Sequence, residues 1–160
     1  MERSASMTVW VDLDETLIAS SETPRLGWIR LGSERWAILR PGARKCLTAL
    51  RAIGRVRLLT SARLIYATEA SVRFALGFTR EQIAAQEDWT SLLRAPPSLG
   101  RPHDVLVEDN QSRTVLEKCR YIGIGLDRVI VVPAYSGGTD DVLLFVPHRI
   151  KHLLGESTAE

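Results

Sequence analysis

The sequence predicts an α/β fold, in which a central parallel sheet of the Rossmann-like type is covered by helices on both faces. Short runs of apolar, often β-branched residues alternate along the chain with segments of helical periodicity. Such continuous apolar runs are typical of strands that are buried on both faces of a parallel sheet. Right-handed crossovers would bring the carboxyl ends of these strands to one edge, where open α/β sheets bind ligands. We therefore expect the functional residues at that edge.

The elements follow one another in a regular order. They are a strand at 8–11, a β-hairpin within 27–39, a helix at 43–53, a strand at 56–60, a helix at 64–76, a helical turn near 81–86, a strand at 105–107, a helix at 112–120, a strand at 129–132 and a last helix that Thr139 caps and Pro147 kinks or divides. The hairpin makes a small flap over about 18–40. Neither this insertion nor the later one is long enough for a separate cap domain.

Length and composition predict one domain that extends over residues 1–160. Hydrophobic residues at 45% and charged residues at 25% are typical of a globular protein. The net charge of +2 argues against a polybasic tail, although clustered arginines leave room for a groove that binds an anionic substrate. We find no signal peptide and no apolar run of about 18 residues, so we expect a cytoplasmic protein without a membrane partner.

Two acidic residues, Asp12 and Asp14, stand directly after the first strand. Like charges so close to a buried strand raise each other's pKa, so the pair calls for a divalent metal ion or a shared proton. An enzyme could attack phosphorus with one carboxylate and move a proton with the other. A plain turn, in which the carboxylates accept hydrogen bonds from backbone amides, is the alternative for such a pair.

The segment Asp-Leu-Asp-Glu-Thr-Leu at 12–17 resembles the first motif of the haloacid dehalogenase superfamily of phosphatases. It is most similar to the branch that acts on the C-terminal domain of RNA polymerase II, also called NLI-interacting-factor-like. Further segments resemble that branch in its own order: Arg-Pro-Gly within 39–43, Thr-Ser-Ala at 60–62 with a Tyr-Ala downstream, Glu-Asp-Asn at 108–110, and Asp-Asp-Val-Leu-Leu at 140–144. The likeness extends from about Val9 to Leu154.

The resemblance implies a phosphomonoester hydrolase that depends on Mg²⁺. Asp12 would be the nucleophile that forms an aspartyl-phosphate, and Asp14 would be the general acid and base. Magnesium would be held by a carboxylate oxygen of Asp12, the backbone carbonyl of Asp14, and Asp109 or Asn110, because it prefers oxygen ligands. Thr16 and Glu108 would hold the metal ligands in place. The alternative for Glu108 is a solvated acidic residue in a loop.

Phosphate binding is predicted for the Thr60 hydroxyl, for Ser61 and for one basic side chain. The family supplies a lysine upstream of its acidic fourth motif, and no lysine stands there in this chain. Counting back from Leu-Gly-Arg at 99–101 places the lysine position on Arg94, with Arg101 as the fallback. Arginine keeps the charge and can grip phosphate with two donors.

An open, uncapped cleft favours a substrate that brings its own bulk to exclude water. We therefore expect a phosphorylated Ser/Thr protein segment as the substrate. A nucleic-acid 3′-phosphatase is the alternative, because arginines at 25, 30, 35, 40, 94 and 101 could follow a phosphate backbone. A second alternative is a binding or scaffold module that has lost turnover together with the family lysine.

Overall fold

The computed structural model describes residues 7–33, 35–89 and 103–155. Its centre is a five-stranded sheet in which every neighbouring pair of strands is parallel. In spatial order the strands are β6 (Ile83–Ala84), β5 (Arg55–Leu59), β1 (Thr8–Val11), β7 (Val105–Asp109) and β8 (Val129–Val132). The predicted α/β fold is confirmed, but β6 at one edge lies within 81–86, where a helical turn is predicted, and the observed turn covers only Arg80–Gln82.

The flap is a separate antiparallel sheet with one strand more than a hairpin. Its strands are β2 (Ile18–Ser21), β3 (Ile29–Leu31) and β4 (Arg35–Leu39), in the order β2-β4-β3. β3 and β4 form the predicted hairpin, and β2 pairs with the other side of β4. The sequence pattern does not predict β2, because the second half of this strand consists of two serines.

Helices cover both faces of the central sheet, as predicted. They are α1 (Ala43–Ile53), α2 (Leu64–Arg73), α3 (Gln86–Trp89), α4 (Val115–Ile122) and α5 (Val142–Leu153), and α5 continues through Pro147 as one helix. Side chains of α1, α2 and α5 share a buried cluster with Val9 and Val11 of β1. Those of α3 and α4 share a second cluster with Trp10. The alternation along β1 therefore divides the core into two layers.

The order of the strands fixes the position of the site. β1 lies between β5 and β7, so the segments after these three strands emerge side by side at one edge. The ladder continues one residue past β1, because the amide of Asp12 donates to the carbonyl of Val107 at 3.0 Å. In the ranges that the structure describes, no helix is both long and apolar enough to cross a membrane.

Candidate active site

The loop after β1 is a tight turn that sends its two acidic side chains in different directions. The carbonyl of Leu13 accepts hydrogen bonds from the amides of Thr16, Leu17 and Ile18 at 3.3, 2.9 and 3.1 Å. Glu15 has a φ of 64°, in the left-handed region that residues with a side chain adopt at a cost of about 1 kcal/mol. The loop thus keeps one strained residue directly after the second aspartate, Asp14.

Asp12 is almost fully buried at the bottom of the site. Its Oδ2 atom accepts a hydrogen bond from the Thr16 hydroxyl at 3.2 Å, and its Oδ1 atom accepts one from Nζ of Lys118 at 2.9 Å. Both carboxylate oxygens are therefore held. Thr16 lies where the sequence predicts a residue that orients Asp12.

Lys118 is a site residue that the sequence analysis missed. It lies on α4, and its ammonium group bridges Asp12 and Oε2 of Glu108, the latter at 2.7 Å. Its side chain is only 1% exposed. Burial alone would lower the pKa of Lys118, but the charges of Asp12 and Glu108 raise it above its usual value. Lys118 is therefore a cation at the working pH of most proteins.

A signal for Lys118 was present in the sequence. It lies between Val115 and Ile122 on the apolar face of α4 and beside Cys119, so its position predicts burial. A lysine is almost never buried without a charged partner. The resemblance to the family predicts the phosphate-binding lysine upstream of β7. Lys118 instead follows Glu108, which lies in β7, by ten residues.

Three carboxylates could hold a metal ion at this edge. Asp12, Glu108 and Asp109 each offer an oxygen, and these oxygens lie within 4.8 Å of one another. Burial and the charge of Asp12 raise the pKa of Glu108, against the opposing effect of Lys118. A compact set of carboxylate oxygens suits a hard divalent cation such as Mg²⁺, so the residues present fit the predicted metal.

The structure brings some of the predicted metal ligands together and directs others elsewhere. Asp12 and Asp109 are in the cluster, where Glu108 is the third member. The side-chain oxygen of Asn110 accepts a hydrogen bond from the amide of Ala134 at 2.9 Å, so this side chain ties two loops together. The carboxylate of Asp14 points to α2 instead. Asp14 remains a predicted ligand through its backbone carbonyl.

Asp14 is held by a tyrosine. The hydroxyl of Tyr66 donates to its Oδ1 atom at 2.8 Å. Burial, and next the charge of Asp12, raise the pKa of Asp14 to about 6, although the Tyr66 hydrogen bond opposes this rise. A carboxyl group with such a pKa can both give and accept a proton near neutral pH.

Two adjoining cavities open at this edge. The smaller, of about 270 Å³, is lined by Asp12, Lys118 and the acidic cluster, together with the residues from 111 to 114 that lead into α4. The larger, of about 500 Å³, lies between the flap and the start of α2. Asp14, Glu15 and Ser61 line both cavities. The predicted acid and base is therefore part of the wall between them.

The predicted phosphate-binding residues have different positions. Ser61 lines both cavities, but Thr60 is buried beneath them and lines neither. The hydroxyl of Thr60 accepts a hydrogen bond from the amide of Ala62 at 3.1 Å, so it stabilises the turn after β5. Arg94 and Arg101 lie outside the described residues. Their phosphate contacts stay predictions.

A buried arginine fixes the acidic loop from behind. Arg40, the arginine of the Arg-Pro-Gly element, is 1% exposed and donates from Nη1 to the carbonyl of Thr16 at 3.2 Å. Its Nε atom lies 3.1 Å from the carboxylate of Asp140, just before α5. The amide of Tyr135 adds a bond to the carbonyl of Glu15 at 2.7 Å. The loop is thus tied to two distant parts of the chain.

Comparison with known proteins gives a match of fold. Neither a family model nor a curated protein matches the chain. A solved structure of a variant of fission yeast RNA polymerase II CTD phosphatase Fcp1, bound to beryllium fluoride, matches 94% of the chain at 17% identity with a TM-score of 0.58. A second structure of Fcp1, described as an essential RNA polymerase II CTD phosphatase, matches 94% at 16% identity with a TM-score of 0.59.

The chain spans about half the length of these structures, 51% of the first and 48% of the second. The match nevertheless covers nearly the whole of this chain. The resemblance that the motifs indicate is thereby confirmed for the three-dimensional fold. The chain therefore has the fold of the solved Fcp1 RNA polymerase II CTD phosphatase structures.

Proposed function

We propose that the protein is a Mg²⁺-dependent phosphomonoester hydrolase that works through an aspartyl-phosphate on Asp12. The observation that carries this proposal is the environment of Asp12. Its carboxylate is buried, is held by Thr16 and Lys118, and lies within 4.8 Å of the oxygens of Glu108 and Asp109. A nucleophilic carboxylate needs such fixed orientation and a nearby cation.

The metal would be held by Asp12, Asp109 and Glu108, with the backbone carbonyl of Asp14 as a further oxygen. When bound, Mg²⁺ supplies the positive charge that lets an anionic phosphoryl group approach three carboxylates. Lys118 supplies the second cation. It takes the part that the sequence analysis assigned to Arg94, because its ammonium group already lies 2.9 Å from the nucleophile.

The chemistry needs two steps. A carboxylate oxygen of Asp12 attacks phosphorus, the bond from phosphorus to the leaving oxygen breaks, and Asp14 gives its proton to that oxygen. Asp14 then takes a proton from a water molecule whose oxygen attacks the same phosphorus, which releases phosphate and restores Asp12. The pKa of about 6 suits Asp14 to both proton transfers.

For the substrate we propose a phosphorylated Ser/Thr segment of a protein, as the open cleft suggests. Among the residues that the structure describes, a short flap lies beside the cavities and no domain-sized cap covers them. The alternative of an inactive scaffold depends on the absence of a lysine from the site, and Lys118 offers such a cation. We further propose that the chain acts as one catalytic domain in the cytoplasm.

Hydrolysis of p-nitrophenyl phosphate tests this function. We expect turnover with Mg²⁺, none with excess EDTA, and none in Asp12→Asn, which keeps the shape of the side chain but removes the nucleophilic charge. Asp127→Asn is the matched control, because Asp127 is exposed in the turn before β8. Turnover retained by Asp12→Asn would reject the assignment of the nucleophile.

A further inference from the structure

The larger cavity has a composition that the hydrolysis of phosphate alone does not require. Besides the shared wall, it is lined by two arginines from different elements, Arg35 of β4 and Arg63 just before α2. Ile65 contributes an apolar side chain that is 76% exposed. The cavity therefore offers positive charge and a hydrophobic contact next to the acidic site.

The position of Asp14 indicates which part of a substrate enters this cavity. The phosphoryl group belongs in the smaller cavity with Asp12 and Lys118. Asp14, in the wall between the cavities, would protonate the leaving oxygen. The body of the substrate, which is attached to that oxygen, then extends into the larger cavity.

Both arginines can bind an anionic group of a ligand in this cavity. Arg35 contacts Glu22 only at 3.9 Å, and Arg63 contacts Glu87 at 3.6 Å, in pairs that are largely exposed to solvent. Exposed ion pairs of this kind contribute little, so an incoming carboxylate can compete for the guanidinium groups. A planar guanidinium binds a carboxylate with two parallel hydrogen bonds.

We infer that the larger cavity binds the peptide segment beside the phosphorylated residue and selects acidic side chains in it. This inference rests on the proposed function and names the class of substrate for the same site. Two arginines next to one exposed isoleucine match a peptide with one or two carboxylates and an apolar side chain. A nucleic-acid strand instead needs a longer row of cations along its backbone, and among the described residues Arg35 and Arg63 are the cations that line this cavity.

Two phosphoserine peptides test the inference. They have the same length and differ only in whether glutamate or glutamine flanks the phosphoserine. Release of phosphate gives kcat/KM for each, and fluorescence anisotropy of labelled peptides gives affinities that are readable without turnover. The variants are Arg35→Gln and Arg63→Gln. Arg73→Gln is the matched control, because Arg73 is as exposed as Arg35, has an equally long pair with Glu69, and lies outside the cavity.

We expect the unmodified protein to prefer the acidic peptide in both measurements. Each cavity variant should reduce that preference by about two- to five-fold, and the control should keep it. The readout is the ratio of kcat/KM for the acidic peptide to kcat/KM for the neutral peptide. A ratio is needed because burial mainly raises the pKa of Asp14 and Arg35 opposes this rise, so Arg35→Gln also affects that proton. An effect on that proton changes both peptides equally. High salt should weaken the preference.

Equal kcat/KM and equal affinity for the two peptides would overturn the inference and leave the phosphatase proposal intact. Stronger binding of a 3′-phosphorylated oligonucleotide than of the acidic peptide would overturn the assignment to peptides. If no phosphate ester is hydrolysed at all, the proposed function fails. The anisotropy measurement then still decides whether the cavity selects acidic peptides.

Discussion

The ammonium group of Lys118 lies 2.9 Å from the carboxylate of Asp12, although the two residues are 106 positions apart in the chain. The same ammonium group lies 2.7 Å from Glu108. One side chain from α4 therefore compensates two buried acids, each from a different strand end. This contact makes specific predictions for stability and for turnover.

Replacing Lys118 with methionine keeps the volume of the side chain and removes its charge. Asp12 and Glu108 would then face each other without a partner, so we expect the free energy of unfolding to fall by about 3 kcal/mol in urea denaturation without metal. Turnover of p-nitrophenyl phosphate should fall by about 100-fold or more, because a charge that stabilises the transition state is lost.

Lys151→Met is the control for this change, since Lys151 is exposed on α5. Surface substitutions of this kind change stability by about 0.5 kcal/mol or less. If Lys118→Met unfolded at the same urea concentration as the unmodified protein, the two acids would not depend on this ammonium group.

The pH dependence of turnover should report Asp14. Its pKa of about 6 means that the protonated form, which the leaving oxygen requires, is lost as the pH rises through 6. We expect kcat/KM for an alkyl phosphate such as a phosphoserine peptide to fall by about tenfold per pH unit above that value. p-Nitrophenyl phosphate, whose leaving group needs no proton, should lack this decline. Equal declines for both substrates would contradict the role of Asp14 as the acid.

Removing the hydroxyl of Tyr66 should shift the pH at which kcat/KM for the phosphoserine peptide declines. The hydrogen bond from Tyr66 favours the charged form of Asp14, so Tyr66→Phe should raise the pKa of Asp14 and shift the decline to higher pH by up to about one unit. Tyr121→Phe is a suitable control, because the buried hydroxyl of Tyr121 has no hydrogen-bond partner among the described residues. An unchanged profile in Tyr66→Phe would show that this bond does not tune Asp14.

The contact between Arg40 and Asp140 should contribute to stability. Arg40→Leu removes the buried guanidinium that donates to the carbonyl of Thr16 and to the carboxylate of Asp140, so we expect a loss of about 3 kcal/mol in the free energy of unfolding. Arg120→Leu, an exposed change on α4, should have almost no effect. The measurement is urea denaturation, and equal midpoints for the two variants would refute this account.

Binding of Mg²⁺ should stabilise the folded protein. A ligand that binds only the folded state raises the melting temperature, here by roughly 3 °C at a metal concentration about ten times its Kd. Asp109→Asn should abolish this rise, because Asp109 is in the carboxylate cluster, while Asp127→Asn should keep it. A rise that persists in Asp109→Asn would place the metal elsewhere.

Much of the fold was predictable because its elements have strong periodic patterns. The last three of the four residues of β1 are apolar and all four are buried, and α1 occupies the predicted range. The strands β2 and β6 escaped prediction, since one ends in two serines and the other has only two residues. Both owe their conformation to pairing with a neighbouring strand, which a local pattern does not contain.

The site was predictable where topology alone determines proximity. Asp12 and Asp109 end neighbouring strands, so their meeting follows from the order of the sheet. Nothing local in the sequence indicates that the hydroxyl of Tyr66 reaches Asp14. The position of Lys118 on the buried face of α4 indicates its role, whereas the order of the family motifs does not. Individual side-chain contacts between distant elements therefore formed the unpredictable part.

The wall that Asp14, Glu15 and Ser61 form between the two cavities has a kinetic consequence. A departing alcohol would leave through one chamber while its phosphorus stays bound to Asp12 in the other. The vacated chamber then admits whichever hydroxyl compound arrives next. A small alcohol added to the reaction should therefore compete with water and carry away part of the phosphate as a new ester.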